Sequence, residues 1–137
     1  MGHPTTAVYA PELSERAILE GIRAGHVFVD GEGTKDRLIE FTARTGARTA
    51  SMGDVLHAAS GERVQFSVRT AALAGAHVEV IQDGRLTELL DVAPIKLADE
   101  TREFTYQSDG AKHWIRVNVR SEAGALLILG NPVYLNY

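Results

Sequence analysis

Residues 63–69 read Arg-Val-Gln-Phe-Ser-Val-Arg, and this strict alternation of polar and apolar side chains decides the fold class. Successive side chains of a β-strand point to opposite faces of its sheet. Val64, Phe66 and Val68 should therefore face a core, because the residues between them are all polar. The stretch predicts a strand of an antiparallel sheet that buries one face.

The same period of two recurs along most of the chain after residue 25. Asp83-Gly84 between two such segments is a strong hairpin signal, and Pro94 marks residues 91–100 as the longest loop. No helical pattern alternates with the strands, which disfavours a parallel sheet. The sequence predicts a mainly β fold, an antiparallel immunoglobulin-like sandwich of about seven to nine strands. The other segments with strand patterns are 27–29, 38–44, 78–81, 86–90, 103–107, 114–120 and 125–129.

One amphipathic helix is predicted near the N-terminus, over residues 14–24. Ser14 suits the N-cap, and Gly25 suits the left-handed position that commonly follows a helix end. We therefore divide the chain into a junction segment with the helix, residues 1–25, and a sandwich domain, residues 26–137. The apolar stripe expected to be buried consists of Ala17 or Ile18, Gly21 and Ile22.

Composition excludes several classes of function. The chain has 137 residues, enough for one domain, and a net charge of −4 from 18 acidic and 14 basic residues without long runs of like charge. Nucleic-acid binders need a basic face, so no nucleic-acid partner is expected. There is no cysteine, hence no disulfide or thiolate metal site. No stretch is long and apolar enough to span a membrane and the first residues do not resemble a signal peptide, so we expect a soluble chain and leave its compartment open.

No residues are assigned as catalytic, cofactor-binding or metal-binding. The five histidines, at positions 3, 26, 57, 77 and 113, do not occur at the His-x-His or His-x-x-x-His spacing that aims two imidazoles at one ion. The segments 30–33 and 53–54 combine aspartate with glycine as turns do, and they match no phosphate-binding motif.

Three residues of the 114–120 strand form a candidate interaction surface. Trp114, Arg116 and Arg120 should share the face opposite the core residues of that strand. A tryptophan beside arginines can stack a ligand, and it can equally cover a sheet edge or meet a neighbouring domain. We favour the packing role, at a sheet edge or against a neighbouring domain, over ligand stacking.

Two segments carry a family resemblance. The first comprises residues 4–10 and 13–29 and ends in Gly25-His26-Val27-Phe28-Val29; the second, 129–135, reads Leu-Gly-Asn-Pro-Val-Tyr-Leu. Together they resemble the C-terminal part of PHP-superfamily metal-dependent hydrolases, especially the CehA/McbA-like branch. In that family a metal-binding phosphoesterase-like domain is followed by a helix with a Gly-Arg-Thr/Val-Phe-like end and by a β-sandwich that closes near an Asn-Pro-Ile-Tyr motif.

The resemblance implies that this chain is a non-catalytic C-terminal accessory domain whose partner is the enzyme's own upstream catalytic domain. The family's His-x-His, its acidic and histidine ligands and its Asp-x-His have no matching positions here. The divalent metal is therefore expected in the catalytic domain of the parent enzyme, and this chain alone should show no phosphoesterase activity. His26 stands where the family often has arginine, so the role of that position stays undefined.

Other functions remain as alternatives. An independent carbohydrate- or protein-binding module would use the face with Trp114, Arg116 and Arg120. A free-standing hydrolase would need a nucleophile, a base and an orienting group, which the sequence does not offer. Without a catalytic domain, residues 8–10 and the outer side of the helix would be bare, and residues before Leu13 would fray or pair with a second copy in a homodimer.

Overall fold

Two β-sheets and one short helix make up the computed structural model, which describes residues 3–137. Residues 1 and 2 of the predicted junction segment lie outside the described residues. The mainly β fold with an N-terminal helix is confirmed. Along the chain the elements are β1 (Thr5–Val8), α1 (Glu15–Arg23), β2 (Val27–Asp30), β3 (Leu38–Thr45), β4 (Arg48–Ser51), β5 (Val55–Leu56), β6 (Arg63–Ala71), β7 (His77–Gln82), β8 (Arg85–Leu86), β9 (Asp99–Gln107), β10 (His113–Arg120), β11 (Leu126–Gly130) and β12 (Val133–Leu135).

The two sheets are largely antiparallel and pack as a sandwich. The four-stranded sheet has the order β4-β3-β6-β9. The eight-stranded sheet runs β1-β2-β11-β10-β12-β5, with β7 on β10 and β8 on β7. Strand β10 holds this sheet together, because it pairs with β7, β11 and β12. The only parallel pair in the described residues is β5 with β12.

The core lies between the two inner faces, where the alternation placed it. Val64, Phe66 and Val68 are buried, and so are Ile115 and Val117 on the opposite sheet. The rings of three phenylalanines stack at the centre: the centroid of Phe66 lies 5.2 Å from that of Phe41 and 5.0 Å from that of Phe104.

The helix has the predicted ends but buries a different face. The Ser14 hydroxyl accepts a hydrogen bond from Ala17 N at 3.2 Å, and Gly25 adopts a φ of +76°. The buried residues are Ala17 and Gly21, whereas Ile22 is 49% exposed, so its predicted burial is wrong. The helix packs through its smallest residues because the missing Cβ of Gly21 admits the backbone of β1; a Cβ there would lie 2.5 Å from the carbonyl oxygen of Tyr9.

Four short strands were not predicted from the sequence, and one of them joins the N-terminal segment to the sandwich. Strands β1, β4, β5 and β12 have two to four residues each, too few for a clear alternation. Strand β1 pairs with β2 over its whole length, across the proposed division between residues 25 and 26. Tyr9, just after β1, donates a hydrogen bond to the Ile39 carbonyl of the other sheet.

The predicted hairpin is present, with a shorter second strand than the pattern indicated. Asp83 and Gly84 form its turn with φ values of +50° and +84°, as such two-residue turns require. Strand β8 ends at Leu86. Of residues 87–90, also predicted as strand, Thr87 still donates to the Val80 carbonyl of β7, whereas 88–90 leave the sheet and Leu89 and Leu90 pack against the core. In residues 3–137 we find no helix of the length and apolarity that crossing a membrane requires.

Candidate functional site

The outer face of the eight-stranded sheet is rich in apolar side chains. Strand pairing places ten apolar residues together on this face. Each follows or precedes an inward-facing residue along its own strand and pairs with, or lies beside, an outward-facing residue of the next strand. All of them retain exposure to solvent. We call this surface the apolar outer face: Val8, Val27, Val29, Val55, Ile81, Leu86, Trp114, Leu126, Leu129 and Tyr134.

The four-stranded sheet provides an internal comparison. Its outer face, the polar outer face, consists almost entirely of hydrophilic side chains, as expected for a sandwich sheet facing water. Ion pairs cross it, with Arg69 bonded to both Asp99 and Glu40. The outward positions are therefore hydrophilic on the four-stranded sheet and largely apolar on the eight-stranded sheet. The polar outer face contains Glu40, Thr42, Arg44, Thr49, Ser51, Arg63, Gln65, Ser67, Arg69, Asp99, Thr101, Glu103, Thr105 and Gln107.

The three residues of the predicted interaction surface lie on the apolar outer face. The guanidinium of Arg116 lies over the Trp114 ring, 5.4 Å from its centroid. Arg120 is engaged at the other end of β10, where it pairs with Glu79 at 2.9 Å and donates to the Gly124 carbonyl. The structure thus brings Trp114 and Arg116 into contact, whereas the Arg120 guanidinium is already bonded within its own sheet. Their role in binding stays a prediction.

Two adjacent outward residues of β10 hold polar atoms without partners. Nε of Arg116 and Oδ1 of Asn118 are buried and form no hydrogen bond within residues 3–137. Asn118 is only 3% exposed although it lies on the outward side, because its neighbours on β7, β10 and β11 crowd over it. A buried polar atom without a partner costs about 1–3 kcal/mol. Sequence reasoning missed Asn118, since a single asparagine in a strand carries no signal of its own.

The helix adds apolar surface beside β1. Leu13 is 97% exposed, and Leu19 and Ile22 are exposed as well. A shallow cleft at this edge is lined by Val8 of the apolar outer face and by residues of the helix and its preceding turn. The apolar surface therefore continues from the sheet onto the helix.

The two segments that carry the family resemblance meet at one corner of the fold. The side chain of Asn131, in the Gly-Asn-Pro turn before β12, donates to the carbonyl oxygen of Gly25 at 2.8 Å. Gly53 packs directly against this point and donates its N–H to Pro132 O at 2.7 Å. The sequence analysis took the two segments as one resemblance without predicting that they touch, and this bond joins them across 106 positions.

His26 at this corner binds a carboxylate. Its Nε2 lies 2.8 Å from Oδ1 of Asp54, whose other oxygen accepts from the backbone and hydroxyl of Ser51. Burial acts to raise the pKa of Asp54, but the hydrogen bonds from His26 and Ser51 outweigh it and hold that pKa below its usual range. Asp54 therefore joins the start of β2 to the β4–β5 turn.

This corner does not assemble a nucleophile with a base. The Ser51 hydroxyl binds Asp54, so the pair of hydroxyl and imidazole that nucleophilic catalysis requires is not formed. The adjoining cleft, of about 210 Å³, is bordered by Tyr9, His26 and Glu40. Within the described part of the chain, no three His, Asp or Glu side chains are grouped as metal ligands would be.

His113 is held between two carboxylates at one end of the sandwich. Its Nδ1 lies 2.5 Å from Asp83 in the β7–β8 turn, and its Nε2 lies 2.9 Å from Asp109 in the β9–β10 turn. A neutral imidazole has one N–H, so only the imidazolium donates to both carboxylates. The hydrogen bonds to Asp83 and Asp109 accordingly raise the pKa of His113. When protonated, the ring ties the two turns together.

Replacing His113 with glutamine should destabilise the fold in a pH-dependent way. A raised pKa contributes stability that is complete below the unfolded value of 6.5 and is lost as pH rises through the folded value. Because the pKa values of Asp83 and Asp109 are lowered, both carboxylates stay charged and keep binding the imidazolium until the pH is well into the acid range. Tyr106 also packs on the ring, and its raised pKa keeps the phenol neutral, so it does not contribute to the pH dependence. The gap in urea midpoint between parent and variant should be large at about pH 6 and small at about pH 9. His57→Gln, at an exposed histidine, is the control; a gap independent of pH would contradict the protonated bridge.

Comparisons of this chain with protein-family models, curated proteins and solved structures find no match. The family resemblance therefore rests on the two motif segments alone. In this fold those segments form a structural corner around Gly25, Gly53 and Asn131.

Proposed function

We propose that this chain is a non-catalytic accessory β-sandwich domain of a PHP-type metal-dependent hydrolase, packed against the catalytic domain of that enzyme. The observation that carries the proposal is the difference between the two outer faces of the sandwich. A sheet that faces only water alternates cleanly between apolar and polar residues, as the four-stranded sheet does. Ten apolar residues on the outward side of the other sheet indicate a surface that is covered in the working protein.

In this proposal the chemistry belongs to the catalytic domain. That domain would hold the divalent metal and activate water for phosphoester attack. The His26, Asp54 and Ser51 cluster of the sandwich serves to hold the corner together, because its hydroxyl and its imidazole both bind the same carboxylate. The accessory domain contributes packing area and shapes access to the catalytic centre.

An independent binding module is the second candidate, favoured by the half-exposed Trp114 on a sheet face. The Arg116 guanidinium already lies over the tryptophan ring, which leaves less of that ring for stacking on a sugar. This contact favours a protein partner over a carbohydrate. The same contact between Arg116 and Trp114 would be expected at a junction between two domains.

The genomic reading frame upstream of codon 1 tests the proposal. We expect it to continue in frame and to encode a His-x-His, further acidic and histidine ligands and an Asp-x-His. The purified product of the whole frame should then bind divalent metal and hydrolyse an aryl phosphate, and removal of the metal with a chelator should abolish turnover. A stop codon close to codon 1, or an upstream domain without the ligand set, would refute the assignment to this class of enzyme.

A further inference from the structure

We infer that the apolar outer face binds a protein surface that places a carboxylate on Arg116 and apolar side chains around it. The inference rests on the proposed function, in which this face meets the catalytic domain, and it names the chemistry that the partner must have. The alternatives, a basic partner surface or a second copy of this chain, are outcomes of the test below.

Among residues 3–137, the charges on this face leave one cation without a partner. The strands of the face carry three fully charged outward side chains, Glu79, Arg116 and Arg120. Arg120 and Glu79 bind each other. Arg116 forms no ion pair or hydrogen bond with residues 3–137, and its Nε is already shielded from solvent. In the described part of the chain the face is therefore an apolar surface with one unpaired guanidinium, that of Arg116, beside Trp114.

Covering that guanidinium with a purely apolar partner would be unfavourable. A charge that loses water without gaining a partner carries a large desolvation cost. A carboxylate on the partner offsets this cost, and arginine matches a carboxylate through two parallel hydrogen bonds. Contact with the Trp114 ring restrains the guanidinium before binding, which lowers the entropy lost when the pair forms.

A second copy of the chain fits the face poorly. In a twofold interface the same patch meets itself, so two free Arg116 side chains would enter one interface. Among residues 3–137, Glu79 is the only outward-facing carboxylate on the strands of this face, and it is already bound to Arg120. A different, acid-bearing surface satisfies the charge, and a self-associated dimer does not.

The chain contains one tryptophan, Trp114, so its intrinsic fluorescence reports on this face. The test uses two tryptophan-free amphipathic peptides with the same leucine stripe, one with glutamates and one with lysines flanking it. We expect the glutamate peptide to change the Trp114 emission with at least about tenfold higher affinity than the lysine peptide. The net charge of the chain, −4, acts in the opposite direction, so such a preference has to arise locally.

Arg116→Gln should weaken binding of the glutamate peptide about tenfold and remove the preference between the peptides. Arg44→Gln on the polar outer face is the matched control and should leave both affinities unchanged. Equal binding of the two peptides, a preference for lysine, no response up to about 1 mM peptide, or an equal effect of the two substitutions would overturn the inference. A dimer in sedimentation that shields Trp114 would overturn it in favour of a second copy. An upstream frame without metal ligands would refute the proposed function alone, since the peptide preference would still define the face.

Discussion

Replacing Phe66 with alanine should lower the free energy of unfolding by about 3–5 kcal/mol, as cavity-forming substitutions of buried phenylalanines do. Phe66 is 0% exposed and stands between Phe41 and Phe104 in the ring stack. Its removal takes a stacked ring away from both neighbours, and strands β3 and β9 on either side keep the cavity from collapsing. Urea denaturation at pH 7, followed by circular dichroism, measures the loss.

Arg69→Ala on the same strand is the control for this substitution. Arg69 points to the opposite face of the sheet, where it binds Asp99 and Glu40 in contact with solvent. Exposed ion pairs contribute little to stability, so this variant should unfold close to the parent midpoint. Equal losses for the two variants would mean that the inner and outer faces of β6 are wrongly assigned.

Gly53→Ala should be the most damaging of the glycine substitutions at the motif corner, with an expected loss of about 3 kcal/mol or more. A Cβ at this position would lie 2.1 Å from the carbonyl oxygen of Ala24 and 2.6 Å from the carbonyl carbon of Gly25. These are backbone atoms at the helix end, so relief requires moving the helix away from the β4–β5 turn. The φ of +92° adds strain for any residue with a side chain. Thermal unfolding of the variant, monitored by circular dichroism, checks the loss.

Gly61→Ala separates the clash from the strain. Gly61 has a φ of +88°, close to that of Gly53, but no atom lies within 4 Å of the position its Cβ would take. This variant should lose only about 1–2 kcal/mol, the cost of the left-handed conformation. A loss equal to that of Gly53→Ala would show that the close approach at the corner contributes nothing.

The glycine prediction also bears on the family resemblance. The Gly25 and Asn131 segments pack around Gly53, and the bond from Asn131 to Gly25 anchors the helix end to the eight-stranded sheet. The motifs therefore have a structural use in this chain, whatever its function. They can mark a shared domain architecture without marking a catalytic centre.

Local patterns determined most of the architecture. A strand of five or more residues with one buried face shows a period of two, which is why β3, β6, β10 and the second half of β9 were predicted with their inner faces. The first residues of β9, Asp99 and Glu100, were wrongly assigned to the loop 91–100 because they carry no alternation. The helix ends and the hairpin turn follow from the preferences of Ser14, Gly25 and Asp83-Gly84, which depend on neighbouring backbone atoms. The placement of Trp114, Arg116 and Arg120 on one face followed from the same alternation.

Other features were decided only by the tertiary structure, because they depend on which distant segments of the chain become neighbours. The buried face of the helix was set by the approach of β1 to Gly21, and the short strands were set by available edges rather than by their own sequence. The apolar outer face is assembled from eight strands, none of which carries enough outward apolar residues to be noticed alone. His113 likewise lay in no recognisable motif, because its two carboxylates come from turns that only the packed sheets bring together.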